Sequence, residues 1–183
     1  AGLGRTGRLW AFEEWGIVPD MVVLGKGLSG GIYPMAATCY RVGLQEFLDE
    51  HPFIHVSTFG GADLGCVAAQ AMFDQITEPG FLEHVREMGT LFAQSLTALR
   101  QRYPRVITGI RQRGLMIGIQ MADNALGPML TVHLGRNGVL ALFANNRPST
   151  MIIMPPLIMS EEEVGSVLDA LQRSLAAMTA GEG

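Results

Sequence analysis

Lysine is almost missing from this chain: thirteen side chains are lysine or arginine, and only Lys26 is a lysine. Charge of either sign is sparse, at 16% of 183 residues, and the formal net charge of −4 excludes the basic footprint of a nucleic-acid binder. Arginines cluster only modestly between Arg100 and Arg113, as a solvated face would. Long apolar runs are lacking too. The longest, Met151 to Met159, is broken by Pro155 and Pro156, so no membrane span is expected. A basic leader followed by an apolar stretch is not seen, and no secretory signal is expected. Cysteine is limited to Cys39 and Cys66, each in apolar surroundings, which predicts reduced core thiols in a cytoplasmic protein. Four histidines, His51, His55, His84 and His133, lack ligand spacing, so no metal site is expected.

What is abundant is apolar side chain, at 48%, enough for one good core or two small ones. The first residue is Ala1, inside the glycine-rich turn Ala1–Gly7, which suggests a piece of a longer protein. A short helix is expected over Arg8–Trp15, closed by Gly16 and Pro19. Met21–Leu24 is a wholly apolar run of the kind found in a buried parallel strand. Further along, a strand is expected at Met35–Tyr40, and helices at Leu44–Glu50, Ala62–Thr77 and Phe81–Tyr103. The last of these carries Leu82, Val85, Met88, Leu91, Phe92, Leu96 and Leu99 at helical spacing. Strands are then expected at Val106–Arg111, Leu115–Met121, Val139–Phe143 and Met151–Met154, with a helix at Leu126–Arg136 between the second and third. Ser160 and Glu163 form a capping box that opens a final helix running to about Met178, ahead of a frayed tail.

The scarcity of lysine gives Lys26 its weight. An arginine supplies charge but keeps its proton at any workable pH. A lysine amine can be deprotonated and used as a nucleophile toward a carbonyl. Lys26 follows the apolar run Met21–Leu24 and is flanked by Gly25, Gly27, Gly30 and Gly31, at the strand's carboxyl end, where open α/β sheets gather ligands. The segment is not a nucleotide phosphate loop, because Lys26 is followed by glycine and Val22 stands where the first glycine should. Nor does Ser29 sit in the register of a nucleophile elbow.

Gly4-Arg-Thr-Gly7, Val18-Pro-Asp20, Lys26-Gly27, Gly30-Gly31 and Ser57-Thr-Phe-Gly-Gly61 together resemble the class III aminotransferases, fold-type I enzymes that use pyridoxal 5′-phosphate. The likeness continues through Arg111-Gln-Arg-Gly-Leu-Met-Ile-Gly118 and Pro155-Pro-Leu157 followed by Ser160-Glu-Glu. It implies an α/β fold: residues 1–78 would end a large cofactor domain, mainly parallel sheet with helices, and 79–183 would form a small α/β domain. Lys26 matches the family's Schiff-base lysine, and Thr58 the threonine that binds the cofactor phosphate of the neighbouring subunit in a homodimer with shared sites. Ser57 is either a cofactor contact or a turn-stabilising hydroxyl.

Three departures from the family pattern stand out. The aspartate that pairs with the pyridinium nitrogen, the phosphate turn and the stacking aromatic all precede the matched region, so the chain resembles the back half of the enzyme and is expected to be inactive by itself. The position three before the proline pair, where family members that grip an α-carboxylate often carry arginine, is Ile152. Arg-Gly-x-Gly has become Arg111-Gln-Arg-Gly114, and the Asn-Pro after the Thr-Phe-Gly-Gly turn has become Ala62-Asp63. Ile152, together with His51-Pro-Phe-Ile-His55, leans toward the putrescine and ornithine branch and a diamine or ω-amino donor paired with a 2-oxo acid. Arg147 is expected to face solvent rather than replace the missing arginine. Decarboxylation, phospho-lysis or amino migration on the same scaffold, and a non-catalytic partner role, remain the alternatives.

Overall fold

A computed structural model describes residues 1–180. The chain divides into two compact units, one of Ala1–Leu3 with Arg8–Phe81, the other of Gly4–Gly7 with the residues from Leu82 onward.

In the first unit, a short 3₁₀ helix over Ala11–Trp15 ends at Gly16, which takes the left-handed conformation (φ 63°). Strand β1 (Met21–Leu24) leads into a one-turn 3₁₀ helix, Lys26–Ser29, and then β2 (Ala37–Tyr40). The expected parallel strand is not found here: β1 pairs antiparallel with β2, Met21 opposite Tyr40 and Leu24 opposite Ala37. The reason lies in the connection, which is glycine-rich and holds only one 3₁₀ turn, too little helix for the crossover that parallel strands need. The strand is also not buried, with Met21 and Val23 exposed. After α1 (Glu46–Glu50), helix α2 (Asp63–Ile76) packs on the Lys26–Ser29 turn. Cys39, on β2, and Cys66, on α2, are free but exposed, contrary to the expected core placement. Apolar sequence neighbours misled here, because the two-stranded sheet and this face of α2 lie open in the chain.

The second unit holds the main core. Helix α3 (Phe81–Arg102) buries Val85, Met88, Phe92, Leu96 and Leu99, the stripe its spacing predicted. Strands β3 (Ile107–Arg113), β4 (Met116–Met121), β5 (Leu142–Ala144) and β6 (Arg147–Ile153) form a sheet of order β3-β4-β6-β5, antiparallel throughout. Ile117, Ile119 and Met121 of β4, with Met151 and Ile153 of β6, are buried on one face. Each such side chain contributes roughly 1.5–3 kcal/mol. Their alternates Gly118, Gln120 and Ile152 stand half-buried on the other face.

Helix α4 (Leu126–Arg136) packs on β6 and on α5 (Glu161–Ala180). The strand expected from Val139 starts only at Leu142, because residues 137–139 close α4. Gly138 turns left-handed (φ 83°), and the Val139 N–H donates back to the Leu134 carbonyl at 2.9 Å. At α5 the capping box forms as expected: Ser160 N–H donates to Glu163 at 2.7 Å, and Glu163 N–H to Ser160 Oγ at 3.2 Å. The helix continues through Thr179 and Ala180; the rest of the expected frayed tail lies outside the described residues. No helix among the described residues is long and apolar enough to cross a membrane.

Candidate active site around Lys26

Lys26 begins the 3₁₀ turn with φ 53°, in the left-handed region. Among described non-glycine residues only Leu3 (φ 55°) shares that conformation. Such a backbone costs about 1 kcal/mol or more for a residue with a Cβ, and the surrounding structure must hold it in place.

The residues around it do so. Leu28 N–H donates to the Gly25 carbonyl at 3.2 Å and Gly30 N–H to the Gly27 carbonyl at 3.0 Å, while Gly30 and Gly31 take positive φ to leave the turn. Ser29, 1% exposed, donates its hydroxyl to the Tyr33 carbonyl and accepts from the Tyr33 N–H at 3.3 Å. The Tyr33 ring then lies against α2 at Gly65, where an added Cβ would come within 2.9 Å of it. Leu3 completes the packing; its Cδ1 would be 3.4 Å from a Cβ at Gly27.

The lysine itself is exposed, and among the described residues its amine has no hydrogen bond or ion pair. The turn is thus rigid at its base and free at its tip. The sequence singled out Lys26 but not its brace: Ser29 was considered only as a nucleophile. A serine inside a glycine-rich turn, whose hydroxyl can bond nearby backbone groups, was the available signal.

Ser57 and Thr58 lie in the exposed stretch before α2. Ser57 carbonyl accepts from Gly60 N–H at 3.1 Å, closing a tight turn that Gly61 leaves with φ 69°. Neither hydroxyl has a partner among the described residues, and no hydrogen bond joins either residue's side chain to Lys26. The N-cap of α2 is Ala62, without a capping side chain, so the first amides of the helix stay open to an acceptor. Asp63 in the first turn works against an anion there. A primary amine on a fixed turn is a nucleophile suited to an aldehyde, and an unpaired hydroxyl on a glycine turn is a donor suited to a phosphate; pyridoxal 5′-phosphate carries both groups.

In the second unit, Ile152 is half-buried on β6, opposite Gly118 of β4 and Leu142 of β5. Arg147, at the start of the same strand, is exposed as expected.

The aminotransferase class-III family matches residues 1–175. An uncharacterized aminotransferase of Archaeoglobus fulgidus is 47% identical over 170 residues, covering 93% of this chain and 40% of the relative. Two solved structures at 30% identity share the fold. The acetylornithine aminotransferase of Elizabethkingia anophelis superposes with a TM-score of 0.88 over 96% of this chain and 43% of its own. The ornithine aminotransferase of Toxoplasma gondii ME49 does so with 0.90 over 99% and 42%. The chain therefore spans under half the length of these relatives. Its mixed α/β fold is that of the pyridoxal-phosphate-dependent aminotransferases they represent, and the chain belongs to the class III aminotransferase family.

Proposed function

We propose that this chain is the lysine-bearing part of an enzyme that moves an amino group from an amine donor, with diamines and ω-amino compounds favoured, to a 2-oxo acid. The observation that carries the proposal is Lys26: the sole lysine, held at φ 53° on a braced turn, with its amine unpartnered among the described residues. Strained backbone that the structure over-determines is characteristic of functional positions. Pyridoxal 5′-phosphate, when bound, supplies the electron sink for bond changes at the amino-bearing carbon.

The chain's own residues take the remaining tasks. Lys26 Nζ would hold the cofactor aldehyde and, when released, would take up and return a proton as general base and acid. The Ser29–Tyr33 brace fixes the backbone from which the Lys26 side chain departs, which sets where Nζ can reach, and proton transfer requires hydrogen-bond reach. Thr58 would donate its hydroxyl to a phosphate oxygen, and Ser57 would either add a second hydroxyl or hold the turn. In the proposed homodimer Thr58 serves the partner's site. Support comes from the apolar side chains left open around it: Phe53 is 87% exposed and Phe59 81%. With Ile54 and Val56, also exposed, they make a contiguous apolar stretch of the kind that marks a contact surface.

Donor choice rests on Ile152. An aliphatic side chain cannot make the bidentate carboxylate grip that arginine makes. The similarity to an ornithine aminotransferase supports a donor carrying a second amine. The test is a panel of amines with a 2-oxo acid acceptor, run on the intact protein. Diamines should outrun α-amino acids that lack a second amine. Ile152→Arg should raise kcat/KM for α-carboxylate donors by roughly 10- to 150-fold, the worth of a charge-assisted hydrogen bond of about 1.5–3 kcal/mol, at the expense of diamines. If the wild type already prefers a simple α-amino acid and Arg147→Ala removes that preference, the carboxylate site has moved to Arg147 and the donor assignment is wrong.

A further inference from the structure

The Gly4-Arg-Thr-Gly7 motif has no task in the mechanism above, yet it is built with care. Its neighbours on both sides belong to the first unit, while these four residues belong to the second. There the Arg5 carbonyl accepts from Leu115 N–H at 3.1 Å, and Arg5 Nη1 donates back to the Leu115 carbonyl at 3.4 Å. The same guanidinium nitrogen donates to the Pro155 carbonyl. Gly114 makes room: at φ 52°, a Cβ there would lie 2.5 Å from the Thr6 carbonyl carbon. On the far side, Arg86 Nη1 donates to the Gly7 carbonyl at 2.7 Å, and a Cβ on Gly7 would strike Arg86 Cγ at 2.6 Å.

Arg5 is half-buried, and desolvation pulls its pKa below the ordinary arginine value. A loop that only turned the chain would not need to take a cation partly out of water. What the cation meets explains it. Pro155 and Pro156 follow β6 after Met154, and neither carries an N–H, so this pair offers carbonyls and no backbone donors. Only a donor from elsewhere can hold it, and Arg5 supplies one.

We propose that Arg5 is a positioning residue for donor selection: by holding the Pro155 carbonyl and the Leu115 carbonyl together, it fixes the exit of β6 and with it the placement of Ile152. This rests on the reading that Ile152 faces the donor. Arginine suits the task because the two N–H bonds of Nη1 are fixed in the guanidinium plane, whereas a lysine ammonium rotates at the end of a flexible stem.

The test uses the intact, cofactor-loaded protein with Arg5→Ala and Arg5→Lys, read by donor kinetics and by amide hydrogen exchange. In Arg5→Ala, KM for a diamine should rise about tenfold while kcat stays within about threefold, and the diamine to α-amino acid ratio should fall. The amides of Met154 and Leu157 should exchange about tenfold faster, with those in the centre of α5 unchanged. Arg5→Lys should recover part of both effects, and it keeps the test valid if the alanine variant does not fold. An unchanged donor ratio, or a uniform fall in kcat for every donor, would overturn the role in selection. Unchanged exchange at Met154 and Leu157 would overturn the hold on β6. If the wild type transfers no amino group from any donor, the proposed function fails together with this one; an active wild type with an unmoved Arg5→Ala ratio sinks only the assignment to Arg5.

Discussion

Replacing Ser29 with alanine removes the brace of the lysine turn while leaving Lys26 itself untouched. The hydroxyl is 1% exposed and makes both a donated and an accepted bond with the Tyr33 backbone. Alanine fits the space, so no clash enters; what is lost is the partner of one carbonyl and one N–H. Leaving half-buried backbone groups unpaired costs about 1–3 kcal/mol, more than the net worth of a hydrogen bond between exposed groups. If that energy is local, opening of the turn becomes roughly 5- to 150-fold more frequent. Amide hydrogen exchange at Ile32 and Tyr33 reads this directly, since the Ile32 N–H donates to the Ser29 carbonyl at 3.2 Å within the same turn. Amides of the α3 core, at Phe92 and Leu96, are the internal control and should not change. The rate of amino transfer should fall with the opening, because an opened turn carries the base of the Lys26 side chain away from the position that puts Nζ within reach of its proton acceptor. Exchange at Ile32 and Tyr33 that stays within twofold of wild type would refute the bracing role. So would equal acceleration at the α3 amides, which would make Ser29 a general stability residue.

Two further outcomes follow from the geometry. Thr58→Ala should weaken cofactor retention by about 1.5–3 kcal/mol, a charge-assisted hydrogen bond lost, with the unfolding midpoint of the cofactor-free protein unchanged; equilibrium dialysis of the cofactor measures it. Gly127→Ala should destabilise the second unit by about 3 kcal/mol or more, because the new Cβ would fall 1.8 Å from the Pro148 carbonyl oxygen; urea unfolding of the intact protein reads the loss.

Much of this was legible in the sequence where local chemistry decides structure. The α3 stripe, the limits of α4 and the Ser160–Glu163 box each depend on residues within one helix, and each formed as its spacing required. Strand readings failed where pairing is set by distant residues. Met21–Leu24 looks apolar enough for a buried parallel strand, but its partner β2 comes back antiparallel through a connection with no crossover helix. Val139 looks like a strand residue, but its N–H is taken by the closing turn of α4. The site divides in the same way. Lys26 announces itself by rarity and glycine context; its positive φ, and the brace at Ser29, need coordinates to be seen. Arg5 illustrates the limit best. The motif was visible, but its reach to Pro155, 150 residues away, was not.

The central claim is that Lys26 Nζ is the nucleophile that takes the cofactor aldehyde. The most direct measurement is borohydride reduction of the intact, cofactor-loaded protein followed by peptide mass spectrometry. In the wild type the cofactor mass should be fixed on the peptide containing Lys26. No fixed mass should appear in Lys26→Arg, which keeps the charge but cannot lose its proton, with circular dichroism showing the fold intact. A cofactor mass that stays attached in Lys26→Arg, or that maps to another peptide in the wild type, would contradict the account.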